Sequence, residues 1–141
     1  MDDPVEQFGA APAAQRSWLR AMGRGLRKRC PQCGRGGLFA GYIRTADACP
    51  ACGLDLTGHR TDDAPPYVTV MIVGHLAIPI ALAVRQLAEP PLWLQFAIWL
   101  PAIAIATFWT LPAVKGAFVG LQWANRMHGF AGADADPTAD A

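Results

Sequence analysis

Cys30-Pro31-Gln32-Cys33-Gly34 is repeated almost unchanged at Cys49-Pro50-Ala51-Cys52-Gly53, and the two copies use every cysteine in the chain. A single tight turn aims two thiols spaced this way at one ion. The glycine that follows takes the positive backbone angles that bring N–H groups toward the thiolates. Two such knuckles about 15 residues apart supply four soft ligands, the donor set of a closed tetrahedral zinc site. An iron centre of the rubredoxin kind uses the same ligands and stands as the alternative. A closed site has no open coordination position, so catalysis at the metal is not expected. A redox-active CxxC normally opens a helix within a βαβ pattern, and none is present. Residues 29–58 are therefore read as a small zinc-ribbon-like β module, too short to bury a core without its metal. Arg27, Lys28, Arg29, Arg35 and Arg44 surround the knuckles and favour the thiolate form. Phe39 and Tyr42, the aromatics between the knuckles, are expected to cover the metal.

The chain changes character after Asp62-Asp63. A formal net charge of +1 over 141 residues hides a basic head and an apolar body. Two runs are long enough to cross a bilayer, Tyr67 to Val84 and Leu92 to Val114, separated by a short turn containing Arg85, Glu89, Pro90 and Pro91. Tyr67, Trp93 and Trp109 lie near their ends, where amphipathic aromatics favour the interface. The fold class read from this is a membrane α-helical protein: a two-helix transmembrane hairpin over 59–130, with spans at about 67–86 and 92–114, carrying the zinc-ribbon-like module. The buried core of a soluble domain is excluded, because so short a chain cannot cover two helices apolar on all sides.

Nine basic residues, Arg16 to Arg60, precede the first span, whereas the turn carries only Arg85. The positive-inside tendency then places both termini in the cytoplasm and the turn outside. No apolar stretch near the N-terminus suggests a signal peptide. A cytosolic head favours bound metal over disulfides. Base-stacking aromatics are too sparse for nucleic-acid binding.

The acidic, Ala/Pro-rich residues 1–14 and the tail 131–141 read as disordered. Ser17 to Arg29 spaces Trp18, Leu19, Met22 and Leu26 helically beside Arg20, Arg24, Arg27 and Lys28. Two readings stand for it: a basic amphipathic segment on anionic lipid, or a helix whose apolar stripe packs on the metal module. Gly23 and Gly25 weaken the helix in either case. His59, Asp62 and Asp63 lead into the first span, where the carboxylates cap the helix or pair with the basic head, or else bind a metal or a basic partner within reach of His59. His75 falls inside the first span beside Gly74. It is read as bonding to the neighbouring helix near Gln95 or Thr107, as a ligand for a transition metal or haem, or as a proton relay. In a metal- or haem-handling function, His59 and His128 join it. After Pro112, Lys115, Gln122 and Arg126 share one helical face and Val114, Phe118 and Leu121 another, which predicts an amphipathic extension along the interface. Pro79, Pro101 and Pro112 free backbone carbonyls within the spans.

The set CPxCGxGxLF (Cys30 to Phe39), CPACGLD (Cys49 to Asp55), Asp62-Asp63, IVGH (Ile72 to His75) and LPxxKGAxxGLQWAxxMHGF (Leu111 to Phe130) resembles the DUF983 family. Those are small bacterial membrane proteins with no established activity. Where the family often has glycine after the paired aspartates, this chain has Ala64. In alphaproteobacterial relatives the gene commonly lies among cytochrome c oxidase biogenesis genes. The resemblance thus implies a non-enzymatic assembly or adaptor role beside a haem–copper oxidase. It supplies no catalytic residues. Two thin helices also want company, so a homo-oligomer or a larger membrane complex is expected beside the lipid bilayer.

Overall fold

The computed structural model describes residues 16–61 and 63–132. The expectations for Asp62 and for the two tails fall outside the described residues. Three α-helices are present, α1 (Trp18–Leu26), α2 (Ala64–Ala88) and α3 (Leu92–Ala124), followed by a 3-10 turn at His128–Gly132. α2 and α3 run antiparallel across the short turn and pack together. At 1.5 Å per residue, their 25 and 33 residues give about 37 and 50 Å, against a hydrocarbon core of about 30 Å. Only 11% of each apolar window is buried within the chain, so the described residues leave most of both helices uncovered.

The start of α2 corrects the capping expectation. Asp63 occupies the N-cap position but its side chain makes no cap hydrogen bond. A capping carboxylate accepts from the N–H of the second or third helical residue. Here those residues are Pro65 and Pro66, which have no N–H to donate.

The end of α3 also differs from expectation. The stretch after Pro112 is not an interfacial strip: Val114, Gly116, Ala117, Val119, Gly120, Gln122 and Ala124 are buried by protein. α3 continues as one helix beyond the apolar run and becomes the spine of the head. α1 lies antiparallel across it, with Gly25 against Gly116 and Ala21 against Gly120, so close that a Cβ on Gly25 would overlap the Gly116 carbonyl. The predicted apolar stripe of α1 packs on nothing in the metal module: Trp18, Leu19 and Leu26 are exposed, and Met22 is half-buried. The contact is made by the opposite, small-residue face.

Between the knuckles the described residues form isolated antiparallel bridges, Arg29 with Gly37, Phe39 with Thr45 and Ala48 with Asp55, and no strand. The expected β module is therefore a set of bridged turns. Glycines at 34, 36, 37 and 41 leave at most three residues between one and the next, too few for a ladder. Its core is shared with the helical part: Cys30, Leu38, Cys49, Leu54 and Leu56 pack with Val119 of α3 and Phe130 of the 3-10 turn.

The loop at Tyr42-Ile43 straps the head to α3. Pro112 has no N–H, so the carbonyl of Phe108, four residues earlier, loses its helical donor. The Tyr42 hydroxyl donates to that carbonyl, and the Tyr42 ring stacks on Phe108 at 4.3 Å between centroids. Lys115 Nζ donates to the Ile43 carbonyl beside it (2.8 Å). Tyr42 thus repairs a helix break instead of covering the metal, while Phe39 does pack against the cysteine core. Tyr42→Phe keeps the stack and removes the donor. It should lower stability by about 0.5–1.5 kcal/mol, the net worth of one hydrogen bond, read as a lower melting midpoint in detergent.

Candidate metal centre

Each knuckle is built the same way. Gly34 N–H donates to the Cys30 carbonyl and Gly53 N–H to the Cys49 carbonyl, both at 2.9 Å. The two glycines have φ of 69° and 73°, in the left-handed region. An L-residue there costs about 1–2 kcal/mol, which accounts for glycine after each second cysteine. Cys30 N–H and Cys49 N–H donate to Gly36 O and Leu54 O, closing both turns at 2.9 Å.

The four Sγ atoms lie within 4.8 Å of one another. Cys30 faces Cys52, and Cys33 faces Cys49, each pair 3.7 Å apart. A disulfide requires about 2.05 Å, so these are free thiols. A tetrahedron with metal–sulfur bonds of about 2.3 Å has edges of about 3.8 Å. The donor set and its spacing therefore fit one tetrahedral ion. Among the described residues it is the one group of three or more His, Cys, Asp or Glu side chains close enough to hold a metal.

The thiols are not equivalent. Backbone N–H groups of Gly36 and Arg35 hold the Cys33 thiol down at about 6, from an ordinary 9.0. Arg35 N–H lies 3.4 Å from its sulfur. Burial pushes Cys30 up to about 12 and also raises Cys52. One corner of the cage is ready as thiolate, and the buried corner needs a cation to ionise. Because the Cys33 value is lowered, its contribution is fully present above about 9 and is lost as pH falls through about 6. Protons compete with a bound ion for the sulfurs. A bound divalent ion should therefore stay in place at pH 7 and be released only in acid, at a pH below the Cys33 value of the empty cage, followed with a metal-sensitive dye.

The remaining candidates serve the architecture. His59 Nδ1 faces the Leu56 carbonyl (2.6 Å) and so carries the proton, leaving Nε2 to accept from Thr45 Oγ1 (3.1 Å). With both nitrogens engaged, His59 pins the chain after the second knuckle. Asp55 accepts from Thr57 Oγ1 (2.6 Å) and Thr57 N–H (2.8 Å), which holds its carboxyl below the usual range. His75 is exposed on α2 and its Nδ1 donates to Met71 O of its own helix (2.8 Å), a simpler solution than the cross-helix bond expected near Gln95 or Thr107. His128 is exposed at φ 55°. Lys115 and Gln122 hold the head to α3. Gln122 Oε1 accepts from Arg60 N–H (3.1 Å) and its amide nitrogen donates to Arg60 O. Sequence reasoning missed the Tyr42 strap and the small-residue crossing. The signals were Pro112 four residues after Phe108, and the paired spacings Ala21-xxx-Gly25 and Gly116-xxx-Gly120.

A four-thiol cage rooted on the end of a long apolar helix, beside a second such helix, defines the class. The chain belongs to the family described as Protein of unknown function (DUF983), which matches residues 39–123. The match takes in the second knuckle and both long helices and begins after the first knuckle. No curated protein and no solved structure matches the chain.

Proposed function

We propose that this protein is a non-enzymatic membrane adaptor: a zinc-bearing head fixed on a two-span hairpin, which holds a docking surface beside a membrane protein complex. The observation that carries the reading is the continuity of α3, an exposed apolar helix that runs into the head and contributes Val119 to the core around the cysteines. An ion in the cage would thus be rigidly coupled to the span. α3 exceeds the hydrocarbon thickness by about 20 Å, and that excess is the part buried in the head. Zinc suits a tetrathiolate site with no open position and a purely structural task, and iron is the competitor. The basic head puts both termini in the cytoplasm of a bacterial inner membrane. The hairpin leaves most of its apolar surface to lipid, to a second copy or to a partner's helices. The partner we infer is a haem–copper oxidase or its assembly apparatus.

The test is affinity purification in mild detergent, with mass spectrometry of co-purifying proteins and elemental analysis of the isolated chain. Enrichment of oxidase subunits together with one zinc per chain supports the proposal. A preparation free of them that carries stoichiometric haem or copper instead rejects it in favour of metal handling.

A further inference from the structure

Beside the first knuckle lies a cleft that the metal centre does not use. It measures about 300 Å³ and sits between α1, Pro31-Gln32 and Trp123. Arg20 and Arg24 line it from successive turns of α1, and Arg16 lines it from just before the N-cap Ser17. Like charges four residues apart on a helix repel, and no carboxylate lines the cleft among the described residues. Two of the guanidiniums are held in place by the protein. Arg16 donates to Trp123 O (2.7 Å) and lies over the Trp123 ring at 4.3 Å. Arg24 donates to Pro31 O (3.0 Å) and Gln32 O (2.6 Å), which braces the knuckle. A guanidinium has five N–H donors, so Arg24 keeps donors to spare. Arg20 makes no side-chain hydrogen bond or ion pair among the described residues.

We propose that Arg20 and Arg24 form a binding site for a phosphate-type anion in this cleft, with Arg16 held beside them on Trp123. Planar guanidiniums are the groups best matched to phosphate oxygens, and that of Arg24 is fixed in advance. The positive end of α1 and the Ser17 hydroxyl add to the same field. Fourteen residues of α3 separate Trp109 from Trp123, about 20 Å along the helix. That distance favours a free phosphate or phosphomonoester over a headgroup of the membrane the hairpin crosses. The site is independent of the adaptor reading and does not depend on which complex the head meets.

The experiment is calorimetric titration of inorganic phosphate into the metal-loaded full chain in phosphatidylcholine nanodiscs at low ionic strength. Saturable binding is expected. Arg20→Ala should weaken it about tenfold, the loss of one charge-assisted contact, with metal content unchanged because Arg20 braces neither knuckle. Arg27→Ala removes the same charge just past the end of α1, outside the cleft, and should change affinity by less than about twofold. Nanodiscs containing phosphatidylglycerol distinguish the source. Unchanged phosphate affinity identifies a free anion, and competitive loss identifies a lipid headgroup in the same cleft. Absence of saturable binding by the native chain, or equal losses for Arg20→Ala and Arg27→Ala, overturns the proposal.

Discussion

Cys30→Ser should cost the head its ion and its fold together. Cys30 is fully buried, its sulfur forms one corner of the cage, and its neighbours are the apolar side chains of the head. Serine offers a harder, less readily ionised oxygen, and a three-thiol site of this kind no longer closes around a soft ion. Structural zinc in small modules carries about 10–16 kcal/mol of apparent binding energy at neutral pH, and in such modules that energy is folding energy. Leu38, Leu54, Leu56, Val119 and Phe130 do not offset the chain entropy of ordering the knuckles and their linker by themselves. Elemental analysis should show metal falling from one equivalent to background. Limited proteolysis should open the chain between the knuckles, while far-ultraviolet circular dichroism keeps the signal of α2 and α3. Cys52→Ser should be milder, because Cys52 is exposed where Cys30 is enclosed. A Cys30→Ser protein that is fully loaded and protease-resistant would remove the metal from the account of the fold.

The cage and the two long helices were legible because each is written in local spacing. Two thiols and a glycine within five residues define a knuckle wherever they occur, and runs of apolar residues define long helices without reference to anything else. What hid was everything that joins these parts. The burial of Gln122 depends on the Arg60 backbone, 62 residues earlier, and no periodicity announces it. Hydropathy placed Val114, Phe118 and Leu121 on a face, but lipid and protein interior are equally apolar, so the pattern did not say which would cover them. The Asp63 cap failed for a reason present in the sequence: two prolines follow where the donors would stand. For α1 the large side chains gave no hint of the docking face. Trp18, Leu19 and Leu26 dominate any reckoning of amphipathicity, while the helix docks through Ala21 and Gly25.

That docking makes two glycines, two residues apart on one helix, respond to the same substitution with opposite signs. By intrinsic propensity, replacing either Gly23 or Gly25 with alanine stabilises a helix interior by up to about 1 kcal/mol. Gly23 has open space around it, with nothing within 4 Å of an added Cβ, so Gly23→Ala should realise that gain. At Gly25 the added methyl meets the carbonyl and backbone of Gly116, and Gly116 faces Gly25 across the same gap. A backbone carbonyl inside a helix cannot swing aside as a long side chain can, so α1 has to lift from α3. Over-packing of this kind costs about 1–3 kcal/mol. It also loosens the Arg24 brace on Pro31 and Gln32, because Arg24 adjoins Gly25 in the chain. Melting midpoints in detergent should therefore rise for Gly23→Ala and fall for Gly25→Ala. The second variant should also release its metal faster to a chelator, even though residue 25 contacts no ligand. Equal shifts for the two variants would mean that α1 does not cross α3 at Gly116, and the head would need another way to hold its first knuckle against the spine.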